Sequence, residues 1–232
     1  MGVKQIMKGS KIMNYATYEL IQDELTPSMV KIGNRSTPVW RQNRWETGEF
    51  VQYIRGNGCG HCCVAMAARL NGVANINPQI EYEHCRKIWG EPKEYQHHFI
   101  SVSGMAKILA DFGVPAVCFG VPEGGANQVI EHIIAVLTEG KQVIFWSEPS
   151  KKYPFPENPF SKGAHYVLAA GLTEEGKILI ANSSERWTAE GVQIVEADTV
   201  RKALYLGSHP AEDTTWGEPA RMLACGGYVV VG

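Results

Sequence analysis

The sequence predicts an α+β domain, with helices gathered in the first half and an antiparallel β-sheet in the second. Between residues 60 and 140 apolar side chains recur at three- and four-residue spacing, in runs closed by glycine. From residue 142 onward, short β-branched or aromatic runs bounded by turn residues take over. The length, 232 residues, fits one large domain. A chain of that size buries roughly three quarters of its unfolded surface and needs neither disulfide nor metal to fold.

Residues 1–36 carry little pattern and are expected to form an N-terminal arm, with a short helix over Thr17–Leu25 and a turn at Thr26-Pro27. The domain proper is expected to span 37–232. Its first helix runs from Gly60 to Leu70, with Cys63, Met66, Ala67 and Leu70 on one face and Asn71-Gly72 as its stop. Asn77-Pro78 supplies a cap and a first-turn proline for a second, reaching about Trp89. Ser103 is the expected cap of a third, which carries Met105, Ile108, Leu109 and Phe112 and stops at Gly113. Val129, Ile133 and Val136 form the apolar face of a fourth, closed by Gly140.

Strands are expected at Gln142–Trp146, His165–Leu172, Lys177–Asn182 and Gly227–Val231. Thr173-Glu174-Glu175-Gly176 joins the second and third as a hairpin. Residues 147–164 form a loop rich in Pro, Lys and Ser. The cleft of such a fold is expected between the helical layer and the sheet.

A net charge of −2 without a basic run argues against nucleic acid or an acidic membrane as partner. The first twenty residues lack a continuous apolar core, so no signal peptide is read and a cytoplasmic location is expected. Six cysteines, at 59, 62, 63, 85, 118 and 225, are too few and too clustered for a disulfide framework. Cys85, Cys118 and Cys225 read as inert core thiols.

The segment Gly56-Asn57-Gly58-Cys59-Gly60-His61-Cys62-Cys63 carries the chemistry. Glycines let the backbone turn sharply and approach a substrate. With a helix starting immediately afterwards, the dipole and the unpaired N–H groups favour a thiolate at Cys59 and lower its pKa. The same N–H groups can donate to an oxyanion. Three other readings stand beside this one. Cys59 is a small core residue; or Cys59-Gly60-His61-Cys62 is a thiol–disulfide pair, although a loop precedes it where such motifs follow a strand; or His61, Cys62, Cys63, His84 and Cys85 hold zinc, without the usual paired spacing.

Of seven histidines, His165 stands apart, at the first position of an apolar strand after the long loop. His97 and His98 follow a charged loop, His84 and His132 lie within helices, and His209 is in a polar loop. Asn182 ends the next strand. Across a hairpin the start of one strand faces the end of the next, so His165 and Asn182 can meet. A cysteine at a helix start followed by His and Asn on paired strands is the order found in papain-like enzymes.

The blocks GCGHCCVAMAARLNG, ISVSGMAKILADFGV, LTEGKQVIFW and GAHYVLAAGLTEEGKILIANS resemble those of the bacteriocin-processing-type cysteine peptidases, family thirty-nine, over about residues 37–207. The resemblance implies a papain-like fold and a thiol hydrolase acting on a peptide or other amide, without metal or cofactor. It implies Cys59 as nucleophile and His165 as base, with Asn182 where the family usually has Asp. It also implies an upstream glutamine for the oxyanion hole: Gln42, in Pro38–Trp45, or alternatively Gln52. His61-Cys62-Cys63 and Asn182-Ser183 depart from the family's pattern, which leaves the substrate class open. An acyltransferase or amidase would use the same residues. One helical turn separates Cys59 from Cys62, so oxidation to a Cys59–Cys62 disulfide is expected to make activity depend on reductant.

Overall fold

The computed structural model describes residues 27–32, 35–42, 56–89, 101–148, 158–184, 191–206 and 226–232. The expected helix at Thr17–Leu25, Gln52, His97, His98, His209 and Cys225 lie outside them. A two-stranded hairpin comes first, β1 (Ser28–Ile32) and β2 (Arg35–Val39), and it runs across the 36/37 position. Three helices follow: α1 (Cys59–Leu70), α2 (Pro78–Trp89) and α3 (Val102–Asp111). After β3 (Ala116–Phe119) and α4 (Ala126–Thr138) come β4 (Gln142–Ser147), β5 (His165–Leu172), β6 (Ile178–Ala181) and β7 (Val192–Val195). Helix α5 (Ala197–Ala203) and β8 (Tyr228–Val231) complete the order.

Six strands form one antiparallel sheet in the order β3-β8-β4-β5-β6-β7. The expected α+β class is therefore what the chain adopts. The layering differs from the expected two. Helix α1 packs on one sheet face, where Ile144, Trp146, Tyr166, Leu168 and Ala181 join Met66, Ile108 and Leu109 in a common core. Helices α4 and α5 cover the other, where Val129, Ile133, Val200 and Ala203 meet Phe145, Val167 and Ile180. The strands explain this: every residue of β4 is buried, and every residue of β5 except the last. A sheet apolar on both faces has to be covered on both.

Helix α1 is buried from Cys59 to Ala68. Ala65, Ala67 and Ala68 favour the helix and let its axis approach the sheet closely. It stops at Asn71, with Gly72 at a φ of 88° that suits glycine. The cap of α2 is the expected Asn77, whose Oδ1 accepts from the Ile80 N–H at 2.9 Å. The cap of α3 is Ser101, not Ser103: the Ser101 hydroxyl accepts from the Gly104 N–H at 3.1 Å. Both serines precede the apolar run, and the helix simply begins one residue after the earlier one. Among the described residues, no helix is long and apolar enough to cross a membrane.

The hairpin at Thr173–Gly176 forms as expected and brings the start of β5 near the end of β6. A bulge between Ala169 and Gly171 shifts the register along the way.

Candidate active site

Asn182 follows the last residue of β6 and all its side-chain capacity is used. Its Oδ1 accepts from the Ser184 N–H at 2.9 Å, and its Nδ2 donates to the Phe160 carbonyl at 3.0 Å and to Gln193 Oε1 at 3.0 Å. A backbone N–H only donates and a carbonyl only accepts, so these two bonds fix which end of the amide is oxygen. That oxygen lies 2.9 Å from His165 Nε2. The imidazole must therefore carry its proton on Nε2, which leaves the Nδ1 lone pair to accept a proton.

The supports of this pair come from several segments. The end of the 147–164 loop returns to the sheet through Asn158, whose Nδ2 donates to the carbonyls of Ser147 and Gly163 at 3.2 and 2.8 Å. Phe160 is then fully buried against Phe145, and Gln193 Nε2 ties the Pro159 carbonyl down at 3.2 Å. The Asn182 N–H donates to the Gly191 carbonyl at 2.7 Å. Gly191 has a φ of +74°, and a Cβ there would meet Val39 Cγ1 at 2.4 Å. Only glycine allows β2 and Asn182 to close on the same point.

Cys59 is the first residue of α1 and only 3% exposed. The backbone N–H groups of Tyr166, the residue after His165, and of Gly60 and Cys59 itself favour the charged form of its thiol. The structure thus brings the cysteine to the start of β5. Among the described residues no hydrogen bond joins Cys59 to the imidazole. The expectation of a lowered thiol pKa is not met. Burial pushes it up to about 11, and the three N–H groups, although they act in the expected direction, only moderate this. Burial likewise pushes His165 down to about 4, opposed by its bond to Asn182. At pH 7 the resting pair is a neutral thiol and a neutral imidazole.

Gln42 lies beside Asn182 rather than apart from it. The Gln42 N–H donates to the Ser183 carbonyl at 3.1 Å, and the Ser183 hydroxyl donates to Gln42 Oε1 at 2.8 Å. Both residues are buried. With its oxygen held by a hydroxyl, the Gln42 side chain presents Nε2 as its donor end. Asn182 and Ser183 therefore orient an imidazole and an amide with two consecutive side chains. Sequence reasoning passed over Ser183, Gln193 and Phe160; an asparagine followed by serine was the local signal for the first.

The zinc reading is altered in its members. His84 is half-buried and bonds Asp111 at 3.1 Å. His61 and Cys85 do meet, and the group that joins them is Glu81. Cys85 is thus a thiol in a polar cluster and not merely a core one.

The burial of His165 has a consequence for stability. Its folded pKa, about 4, lies below the ordinary 6.5, so between those values the unfolded chain binds more protons. Stability therefore falls as pH drops from about 6.5 to about 4, by about 3 kcal/mol from this group. Urea unfolding at pH 4 and pH 7 checks this: wild type is expected to lose that much more than His165→Ala. Equal losses would contradict it.

No family model matches the chain, and no curated protein matches it. Among solved structures, a crystal structure described as a "putative C39-like peptidase" from Bacillus anthracis is similar at 13% identity. The match covers 84% of this chain and 94% of that one, with a TM-score of 0.49. At that distance it contributes nothing to the roles of individual residues, which rest on the geometry above.

Proposed function

We propose that the protein is a thiol hydrolase of papain-like, cysteine-peptidase type that cleaves amide bonds with Cys59, His165 and Asn182. The observation that carries this reading is the fully bonded Asn182 amide. It holds His165 in the tautomer whose Nδ1 is a base, on the strand whose next residue has the N–H that favours the charged Cys59 sulfur. A merely structural asparagine has no need to select a tautomer.

In the proposed reaction, Cys59 transfers its proton to His165 Nδ1 as the sulfur attacks the substrate carbonyl. Asn182 Oδ1 stabilises the imidazolium through Nε2–H, and the Gln42 amide with the Cys59 backbone N–H receives the oxyanion. His165 then protonates the leaving amine, and water releases the acid from the thioester. Because the resting thiol is neutral, the base works during attack; no thiolate is stored beforehand. The 147–164 loop would border the cleft and set specificity.

Gln42→Ala is expected to lower kcat about 10²-fold, the usual effect of removing one oxyanion donor. Ser183→Ala is expected to cost about tenfold in kcat with KM little changed, and Ser183→Thr to restore part of it. Steady-state kinetics on a fluorogenic peptide checks both. A change in KM alone would remove Gln42 from the oxyanion site.

The same groups serve acyl transfer to an amine. Hydrolysis in the presence of hydroxylamine decides between the two: hydroxamate as the main product at low amine concentration favours a transferase. A disulfide exchanger gains less support, since burial raises the Cys62 thiol well above its ordinary value and Cys62 has no exposed surface. Cys59 and Cys62 are both free thiols. If their disulfide forms, peroxide treatment should stop activity and dithiothreitol restore it; unchanged activity after peroxide excludes the switch.

A further inference from the structure

The face of α2 that packs on α1 places a glutamate in the core. Glu81 and Cys85 are one helical turn apart on that face, and His61 on α1 meets them. Exposure is 3% for His61, 0% for Glu81 and 7% for Cys85. His61 Nδ1 contacts Glu81 Oε2, the Cys85 sulfur lies 3.2 Å from Glu81 Oε1, and it lies 4.0 Å from His61 Nδ1. One nitrogen, one oxygen and one sulfur thus lie within 4.8 Å of one another. We infer that His61, Glu81 and Cys85 form a binding site for a divalent transition-metal ion of the zinc type, between α1 and α2.

Three arguments carry this. The donors are an imidazole, a carboxylate and a thiol, the set that zinc and cobalt prefer and that magnesium or calcium do not. Charge also balances: a dication with one thiolate, one carboxylate and a neutral imidazole sums to zero, which suits an apolar interior. Binding expels the Cys85 proton to solvent and requires no oxidant or reductant. Finally, ligand bonds of about 2.0–2.3 Å put tetrahedral donors roughly 3.3–3.7 Å apart. The two sulfur separations are already close to that, and only the His61–Glu81 contact has to open.

A buried acid–histidine contact is weak evidence for stability, because apolar residues of similar volume usually do as well. The placement is also independent of the proposed hydrolase chemistry. His61 is two residues from Cys59, and its imidazole contacts Glu81 on α2.

Cobalt titration of the reduced, metal-stripped protein tests the site. One equivalent of Co²⁺ is expected to give sulfur-to-metal charge-transfer absorption and tetrahedral visible bands. These are expected to persist in Cys59→Ala and to vanish in Cys85→Ser. If Cys85→Ser does not fold, His61→Asn is expected to weaken Co²⁺ binding at least about tenfold through the lost nitrogen ligand, and unchanged binding would overturn the proposal. No charge-transfer band in the wild type would overturn the proposal. So would a band that disappears in Cys59→Ala and remains in Cys85→Ser, which would place the ion at the Cys59–His165 pair.

Discussion

Replacing Cys59 by alanine is expected to reduce peptide hydrolysis by roughly 10⁵-fold or more, to the level of contaminating activity. The expectation follows from the proposed covalent route: without sulfur no thioester forms, and water would have to attack the amide directly. Oxyanion donors alone leave at most a residual rate. The substitution removes one buried sulfur at the start of α1, so the fold should survive, with a stability loss of about 1 kcal/mol. Circular dichroism separates the two outcomes: a folded variant without turnover supports the reading, and a folded variant with undiminished turnover sinks it.

His165→Ala carries the second large effect. The Cys59 thiol is held up at about 11 by burial, and the charge of His165 is not among the causes. Without the base, little thiolate is available at pH 7, so kcat/KM should fall by up to about 10⁴-fold. The residual activity should then climb about tenfold per pH unit from 7 to 10, since thiolate must come from solvent hydroxide. Wild type should be nearly flat over the lower part of that range, because His165 is already neutral there. A variant that loses activity but keeps the wild-type pH profile would mean that His165 only supports the fold.

Much of this arrangement could be read from local pattern. The start and end of β5 match the expectation, and the α4 face and the Thr173–Gly176 hairpin follow directly from periodicity and turn chemistry. The meeting of His165 and Asn182 followed from the hairpin alone. The elements that were missed are short or half-buried. Strand β7 and strand β3 have four residues each, β3 with Val117 exposed at the sheet edge, and α5 has seven. A proline within β2 masks that strand, which among the described residues pairs with β1.

Long-range facts were less legible for a different reason. The C-terminal strand β8 inserts between β3 and β4, and no local pattern encodes that pairing. The helix N-terminus at Cys59 correctly suggested donors for the sulfur, but local sequence carries no measure of burial, which sets the sign of the pKa shift. Glu81 lies on the same face as Tyr82 and Cys85, where an acid is out of place. An acidic residue on the apolar stripe of a helix is the local signal for this cluster.

The central claim is that Cys59 is the nucleophile and His165 the group that activates it. Peptide mapping after reaction with a peptidyl vinyl sulfone measures this, because that electrophile adds to an activated thiol far faster than to a neutral one. One adduct is expected, on Cys59, forming near pH 7 at a rate that His165→Ala lowers by up to about 10⁴-fold. An adduct on Cys62, Cys63 or Cys85, or a Cys59 adduct forming equally fast without His165, would contradict it.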